Sequence, residues 1–310
     1  MMLHMICRLQ HSFPTLARLF GTGFFMGSAD LVPGVSGGTV ALICGIYEKL
    51  LASIKVVTGE VPKTLLKGNI RAAWSLIPFS FLLPLGLGIG TALFTLAHTL
   101  SWALEEHPIF IWSFFFGLIL ASTYVVVTRT TLRTLPTGAS FLAGIAIGYL
   151  VVGLLPVETP HVWWMIFLSG SIAISAMILP GISGSFMLVI LGQYEHILSG
   201  LTTLRLDLLL TFAAGCALGL ALFSHLLSWL LATHHNITLA LLAGLMLGSL
   251  RKIWPWKEAA PTQGLTIERN ILPPDIDAEV LVAGLLCLLG IAIVLSVHWF
   301  QVRHSHNQLD

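Results

Sequence analysis

Two copies of a Pro-Gly-x-Ser-Gly motif are the residues of this chain best suited to chemistry. The first, PGVSGG, begins at Pro33, and the second, PGISGS, begins at Pro180. Proline cannot continue a preceding helix and glycine permits unusual backbone dihedrals, so each motif predicts that one helix ends and the next begins with uncovered N–H groups. Helix N-termini of this kind attract anions. The motifs therefore predict a cradle for a phosphate or carboxylate group.

Hydroxyl groups in and beside the motifs can add donors to this cradle. They belong to Ser36, Thr39, Ser183 and Ser185. Two such helix ends meeting near the middle of a membrane would hold an anion without a buried lysine or arginine. The alternative is a pair of tight turns in which each serine only caps the next helix.

The same motif contains Gly-x-Ser-Gly, a pattern of intramembrane serine proteases that use a Ser/His dyad. A protease of this kind needs an imidazole as general base. The candidates within apolar runs are His98, His225 and His298, and they do not recur at equivalent positions of the two copies. For the same lack of organised His, Cys or acidic clusters, the sequence predicts no metal site and no cofactor.

Composition places the chain in a membrane. Of its 310 residues 56% are hydrophobic and only 9% are charged, and the mean hydropathy is +0.92. A soluble domain has about a quarter charged residues. The net charge of +1 provides no basic surface for nucleic acid. These values exclude a soluble enzyme and a DNA-binding module, and they predict an all-α polytopic membrane protein.

Ten apolar runs are candidates for membrane helices, which need roughly 20 residues each. The run 18–31 is short and suits the descending leg of a re-entrant hairpin, so we predict six full spans plus two hairpins, with ten spans as the alternative. Nine Lys and Arg residues against five predict a cytoplasmic N-terminus. The runs are 18–31, 35–54, 75–101, 108–127, 137–155, 161–179, 182–200, 208–232, 236–252 and 279–300.

An internal repeat divides the chain into two homologous halves, 1–158 and 159–310. At a constant offset, Pro33, Gly34, Ser36, Gly37, Gly45, Tyr47 and Glu48 recur as Pro180, Gly181, Ser183, Gly184, Gly192, Tyr194 and Glu195. Each half has five apolar runs and crosses the membrane an odd number of times, so the second half must be inverted. The predicted fold is therefore two inverted-topology repeats, each with a re-entrant helical hairpin and about three transmembrane helices, as in many secondary transporters.

Three acidic residues are candidates for coupling or gating. Asp30 lies near the tip of the first hairpin, where a carboxylate costs about 2.5 to 3.5 kcal/mol, so it is either functional or a local cap of the broken backbone. Glu48 and Glu195 follow the two motifs at equivalent positions. They are either gating or proton-exchange residues or ordinary interfacial side chains beside aromatic belts.

Three arginines at the predicted cytoplasmic side are candidates for contact with a lipid phosphate. Arg129 and Arg133 share one helix face at i, i+4 spacing, and Arg71 precedes the third apolar run. Basic residues there can receive a lipid headgroup. The alternative is that they are topology signals and membrane anchors.

The stretch SADLVPGVSGGTVALICGIYEKLL, the second motif PGISGS and the later GLMLGSLRKIWPW resemble the bacterial PopT-type polyprenyl-phosphate transporter family over essentially the whole chain. The resemblance implies a transporter that returns undecaprenyl phosphate from the outer to the cytoplasmic leaflet of the cytoplasmic membrane, for reuse in peptidoglycan and other envelope polymers. Carried onto this sequence, the motif puts Asp30, Pro33, Gly34, Ser36, Gly37, Gly38 and Thr39 in the first turn and Pro180, Gly181, Ser183, Gly184 and Ser185 in the second. The predicted phosphate-binding residues are Gly34, Ser36, Gly37, Gly38, Thr39, Gly181, Ser183, Gly184 and Ser185.

Together these observations predict alternating access for a lipid phosphate. The headgroup would cross between the hairpins while the prenyl tail stays in the surrounding membrane lipid, with proton or sodium coupling through an acidic side chain. A transporter or channel for a small soluble anion, and an intramembrane protease, remain as alternatives. A lateral opening toward lipid favours the first, a closed aqueous vestibule the second, and a serine paired with an imidazole the third.

Overall fold

The computed structural model describes residues 13–306 except 133, 263, 264 and 274. In this part of the chain the first half forms α1 Phe13–Asp30, α2 Gly37–Ile43, α3 Tyr47–Lys55, a π-helical turn Val56–Glu60, α4 Val61–Leu66, α5 Ile70–Leu76, α6 Phe79–Glu106, α7 Pro108–Thr128 and α8 Leu135–Val151. The second half forms α9 Trp163–Ile178, α10 Gly184–Ile190, α11 Tyr194–Thr202, α12 Leu206–Thr233, α13 His235–Ser249, β1 Lys257–Thr262, β2 Leu265–Asn270 and α14 Ala278–His306. The described residues are mostly helical, in agreement with the predicted all-α class.

Among the described residues, four helices are long and apolar enough to cross a membrane: α6, α7, α12 and the segment Ala278–Phe300 of α14. With 28 residues, α6 is about 42 Å long, against roughly 30 Å of hydrocarbon. Shorter apolar helices are α8, α9 and α13. The chain is therefore a multi-pass membrane protein.

The apolar runs 35–54 and 182–200 are each broken, so neither forms one long helix. In the first, α2 ends at Ile43, and Gly45 has a left-handed φ of 69° before α3 begins. In the second, α10 ends at Ile190, and Gly192 has a φ of 61°. Helices of seven residues are about 10 Å long and cannot cross a bilayer. These lengths speak against the alternative of ten spans.

Glycines allow the long helices to pack backbone against backbone. A Cβ atom on Gly144 of α8 would clash with the Leu241 carbonyl of α13, and one on Gly244 would clash with the Phe141 carbonyl of α8. Small residues at such crossings let membrane helices approach closely and gain van der Waals contact. The close contact between α8 and α13 is therefore possible only because these glycines have no side chains.

The helix pairs follow one pattern in both halves. Within each half, the helix before the motif packs on the first long helix after it, α1 on α6 and α9 on α12. Between the halves, α7 packs on α14 and α8 on α13. Exchanging the two halves converts each of these pairs into another pair of the same set, so the packing follows the sequence repeat.

A two-stranded antiparallel sheet joins α13 to α14, and no sequence pattern predicted it. Strands β1 and β2 pair with Lys257 opposite Asn270 and Glu258 opposite Arg269. The strand residues KEAAPT and LTIERN have little of the β-branched and aromatic alternation that marks a strand. The sheet places Lys257 and Arg269 beside the end of α13.

Candidate functional site

The two Pro-Gly-x-Ser-Gly motifs have the same backbone geometry. Gly34 and Gly181 lie in the left-handed region with φ of 88° and 87°, which L side chains rarely adopt. Each motif then opens a helix of seven residues, α2 or α10. The prediction of a helix break at each motif is confirmed, and the repeat extends to the backbone dihedrals.

The first motif is bonded to the end of α9. The Ser36 hydroxyl caps α2 by accepting a hydrogen bond from the Gly38 N–H at 3.1 Å. It also donates to the Met177 carbonyl at 2.9 Å. The Tyr47 hydroxyl donates to the neighbouring Ile178 carbonyl at 3.0 Å. Two carbonyls that α9 leaves without helical partners are therefore satisfied by the other half of the chain.

A second contact joins the motifs directly. The N–H of Gly181 donates to the Thr39 hydroxyl oxygen at 3.0 Å, and both residues are buried. A Cβ on Gly38 would lie 2.6 Å from the Ile178 carbonyl oxygen, so the backbones touch at that point. Buried polar groups of this kind are costly to leave unpaired. The motifs consequently form one hydrogen-bonded unit between the halves.

Asp30 closes the first motif. It is the last residue of α1, and its Oδ1 accepts a hydrogen bond from the Gly37 N–H at 2.7 Å. A Cβ on Gly37 would lie 2.6 Å from Oδ2, so the carboxylate fills the space over this glycine. These contacts make Asp30 a local cap, the second of its two sequence interpretations. Its role in coupling stays a prediction.

The second motif is more open than the first. The Ser183 side chain makes no capping bond to α10, and its hydroxyl lies 2.9 Å from that of Ser185. Ser185 occupies the position that Gly38 has in the first copy, and its side chain is exposed. The two motifs therefore differ in burial although their backbones match.

Most of the predicted phosphate donors are used inside the protein. The N–H groups of Gly37, Gly38 and Gly181 and the hydroxyls of Ser36 and Thr39 all have partners. An anion at the motifs would replace these contacts, which requires a different conformation. Phosphate binding by the nine motif residues stays a prediction. Among the described residues no imidazole forms a hydrogen bond with Ser36 or Ser183, the contact that the protease alternative requires.

The glutamates Glu48 and Glu195 lie in different surroundings. The Glu48 carboxylate is 3.7 Å from Nδ1 of His235 at the start of α13, and both side chains are exposed. Glu195 lines a cavity of about 510 Å³ together with His161 and His196. The two imidazole rings stack at 4.2 Å, and partial burial and the neighbouring His161 hold the pKa of His196 below its usual range. The sequence did not predict this histidine pair, because His161 precedes α9 and His196 lies on α11.

Two of the three predicted headgroup arginines, Arg71 and Arg129, lie in the described part of the chain. Arg129 donates from Nη1 to the Leu42 carbonyl at 3.2 Å and from Nη2 to the Ile43 carbonyl at 3.3 Å. A cation at a helix C-terminus complements the helix dipole, so Arg129 stabilises the end of α2. Arg71 is exposed on α5, and Arg133 lies outside the described residues. Headgroup contact stays a prediction for all three.

A larger cavity was missed by the sequence reasoning. It has a volume of about 800 Å³ and lies between the C-terminal ends of α8 and α13, the helix α10 and the sheet. Its lining includes four cations: Arg251, Lys252, Lys257 and Arg269. We refer to it as the basic cavity. In the sequence these four residues count only as topology signals. Two of them follow α13 and the other two lie on the two strands of the sheet, so their positions along the chain do not show that they meet at one cavity.

The basic cavity adjoins the motifs. A Cβ on Gly34 would lie 3.1 Å from Cγ of Lys252, so the lysine stem packs on the first motif. The amine of Lys252 is 5.0 Å from the ring centroid of Phe186, a residue of α10 and of the cavity wall. Lys252 therefore connects the cavity to the first motif and to α10, the helix that the second motif opens.

Comparisons with known proteins identify the family of the chain. The family model described as undecaprenyl phosphate translocase-like matches residues 26–268. A polyprenyl-phosphate transporter of Vibrio cholerae serotype O1 is 42% identical over 288 residues, which cover 89% of this chain and 94% of that protein. A polyprenyl-phosphate transporter of Staphylococcus aureus is 33% identical over 252 residues, which cover 75% of this chain and 84% of that protein. No solved structure matches the chain. The chain belongs to the undecaprenyl phosphate translocase-like family.

Proposed function

We propose that this protein is a membrane transporter of polyprenyl phosphate and is not an enzyme. The observation that carries the proposal is the 42% identity to the Vibrio cholerae polyprenyl-phosphate transporter over nearly the full length of both chains. The substrate is undecaprenyl phosphate, and the protein returns it from the outer to the cytoplasmic leaflet of the bacterial cytoplasmic membrane. The returned carrier lipid is then available for peptidoglycan and other cell-envelope polymers.

The proposed architecture is two inverted repeats, 1–158 and 159–310. Helices α1 and α2 form the re-entrant hairpin of the first repeat, and α9 and α10 form that of the second. The matching helix pairs of the two halves and the short helices after the motifs support this arrangement. With a cytoplasmic N-terminus, the motifs lie inside the membrane and the sheet lies at the outer face.

The proposed mechanism is alternating access around the paired motifs. The phosphate group passes between α2 and α10 and exchanges with the hydrogen bonds that now join the motifs, while the prenyl tail stays in lipid. Asp30, Glu48 and Glu195 are candidates for proton or sodium coupling. The N–H and O–H donors stay satisfied when a phosphate oxygen replaces their present partners, whereas the acceptors they leave, the Asp30 carboxylate and the Met177 carbonyl, need new partners in that conformation.

A lipid phosphate fits the structure better than a small soluble anion. The basic cavity has an apolar rim that includes Leu154, Leu155 and Val189, with exposed fractions of 53%, 46% and 40%. A hydrated anion gains nothing from contact with an apolar rim. An amphiphile binds through both the cationic surface and the apolar surface of the cavity. This observation favours the lipid over the soluble anion.

The function is tested by leaflet-resolved movement of undecaprenyl phosphate in proteoliposomes that contain the purified protein. We expect movement that depends on the protein and that undecaprenol, which lacks the phosphate, does not undergo. Proton and sodium gradients applied in each direction identify the coupling ion. Lack of movement under all gradients, with folded protein confirmed by circular dichroism, would refute the proposed function.

A further inference from the structure

We propose that the basic cavity is a binding site for the phosphate-monoester headgroup of a prenyl lipid, which it occupies before it reaches the motifs. This inference rests on the proposed function and adds a site to it. None of the phosphate-binding, coupling or headgroup residues predicted from the sequence is among the described residues that line this cavity.

The charge of the cavity suits a phosphate monoester. Among the described lining residues are two arginines and two lysines, and none is an aspartate or a glutamate. A phosphate monoester carries about −1.5 to −2 charges at neutral pH. Arginine binds phosphate oxygens through paired N–H donors, and lysine binds them as a point charge. The four cations together carry more charge than one headgroup, and the carboxylate nearest to them in the sheet register is Glu258, which lies opposite Arg269.

Aromatic and backbone contacts hold these cations in place. The Arg251 guanidinium lies 4.3 Å from the Tyr149 ring centroid and donates from Nη1 to the Tyr149 carbonyl at 3.3 Å. The Lys257 amine lies 4.8 Å from the Trp112 ring centroid. Ordering these long side chains before binding removes part of the entropy that a ligand would otherwise lose. The cavity is therefore preorganised for an anion.

The shape of the cavity suits an amphiphile. Its volume of about 800 Å³ falls within the range of roughly 300 to 1,000 Å³ that is typical of small-molecule sites. The cations lie on the α13 and sheet side, and the exposed apolar residues Leu154, Leu155 and Val189 lie on the α8 and α10 side. A headgroup can contact the first set while the first isoprene units contact the second.

The position of the cavity suits the start of transport. In the proposed orientation, the C-terminal ends of α8 and α13 and the sheet lie at the outer face. This is the side of the leaflet from which the substrate is transported. From there Lys252 packs against Gly34 of the first motif, and its amine is over Phe186 of α10. A headgroup that leaves the cavity along Lys252 therefore arrives at the motifs.

The test is equilibrium binding of geranyl phosphate, a soluble prenyl phosphate, to the purified full-length protein in detergent. We expect Arg251→Gln with Lys252→Gln, and separately Lys257→Gln with Arg269→Gln, to weaken binding by about tenfold or more, the loss expected for charge-assisted hydrogen bonds. The control is Arg303→Gln. Its guanidinium lies 3.8 Å from the Trp299 ring centroid on α14 but does not line the cavity, so its removal should leave binding unchanged.

Two further variants and ligands keep the result interpretable. Lys257 and Arg269 lie on the sheet and not on a packed helix, so their double variant tests the site even if the Arg251 variant fails to fold. Arg251→Lys keeps the charge but not the paired N–H donors, so it should weaken binding less than Arg251→Gln does. Geraniol should not bind, and inorganic phosphate should compete only at much higher concentration. Equal competition by inorganic phosphate would overturn the assignment to a lipid headgroup.

Transport in proteoliposomes separates this inference from the proposed function. Wild-type affinity for geranyl phosphate in both double variants would overturn the inference, even if wild-type protein transports the lipid. Lack of transport by wild-type protein would refute the function. Loss of geranyl phosphate binding in the double variants would still support the cavity as a prenyl-phosphate site in that case.

Discussion

Replacement of Gly38 by serine is expected to abolish polyprenyl-phosphate transport and to lower the free energy of unfolding by about 3 kcal/mol. A Cβ at this position would lie 2.6 Å from the Ile178 carbonyl oxygen and 3.3 Å from that of Met177. Both obstacles are backbone atoms of the other half, so a side chain must push the halves apart. Overpacking in a tight core costs roughly 1 to 3 kcal/mol, and here it also strains the hydrogen bond between Thr39 and Gly181.

The chain itself offers the matched control. Ser185 occupies the equivalent position of the second motif and is exposed. We expect Ser185→Gly to lower the free energy of unfolding by less than about 1 kcal/mol, because glycine adds backbone freedom to the unfolded chain and the substitution removes only an exposed hydroxyl that contacts Ser183. Thermal unfolding in detergent and transport in proteoliposomes measure both variants. Equal effects of the two substitutions would show that the contact between the motifs does not limit stability or transport.

Replacement of Asp30 separates its capping contact from its charge. Asp30→Ala leaves the Gly37 N–H without its acceptor at 2.7 Å and leaves a void above this glycine. An unsatisfied buried donor costs about 1 to 3 kcal/mol, so we expect a loss of stability of that size and a strong loss of transport. Asp30→Asn retains an acceptor oxygen in the same place. We expect it to keep most of the stability and most of the transport.

The comparison of the two Asp30 variants is informative in both directions. Unfolding in detergent reports the cap, and proteoliposome transport under an imposed proton gradient reports the charge. A stable Asp30→Asn protein that no longer transports would contradict a purely capping role and would identify the carboxylate as a coupling group. Equal stability of the alanine variant and wild type would contradict the cap itself.

Local sequence was sufficient to locate the motifs and the long helices. Proline and glycine limit backbone geometry at their own positions, so Pro33-Gly34 and Pro180-Gly181 predicted the breaks that the backbone has. The apolar runs also predicted spanning helices, because about twenty apolar residues in a row are suited to lipid. Of the six predicted full spans, α6, α7, α12 and α14 are long and apolar enough to cross in the described part of the chain, whereas α8 and α13 are shorter apolar helices. The identities between the halves were visible in the sequence without any structure.

Two features depend on contacts that a sequence does not contain. The run 35–54 looks continuous because Gly45 is one small residue among apolar ones, and only the fold shows its left-handed conformation. The basic cavity is lined by Arg251, which follows α13, and by Arg269, which lies on β2. The strand pattern around Arg269 is weak, so the sequence did not predict the sheet that brings these two residues together. A serine in such a motif, for example Ser36, is a residue type that commonly binds an anion. In the structure its hydroxyl instead forms a hydrogen bond that joins the two halves.

The difference between Gly38 and Ser185 has a consequence for the symmetry of the molecule. In a homodimer of two identical halves every position would carry the same residue on both sides, and a serine would clash wherever the glycine is required. In a single chain each copy of the motif can carry its own residue. One motif can then make the tight contact while the other presents a hydroxyl at the surface, an asymmetry that two identical subunits could not have.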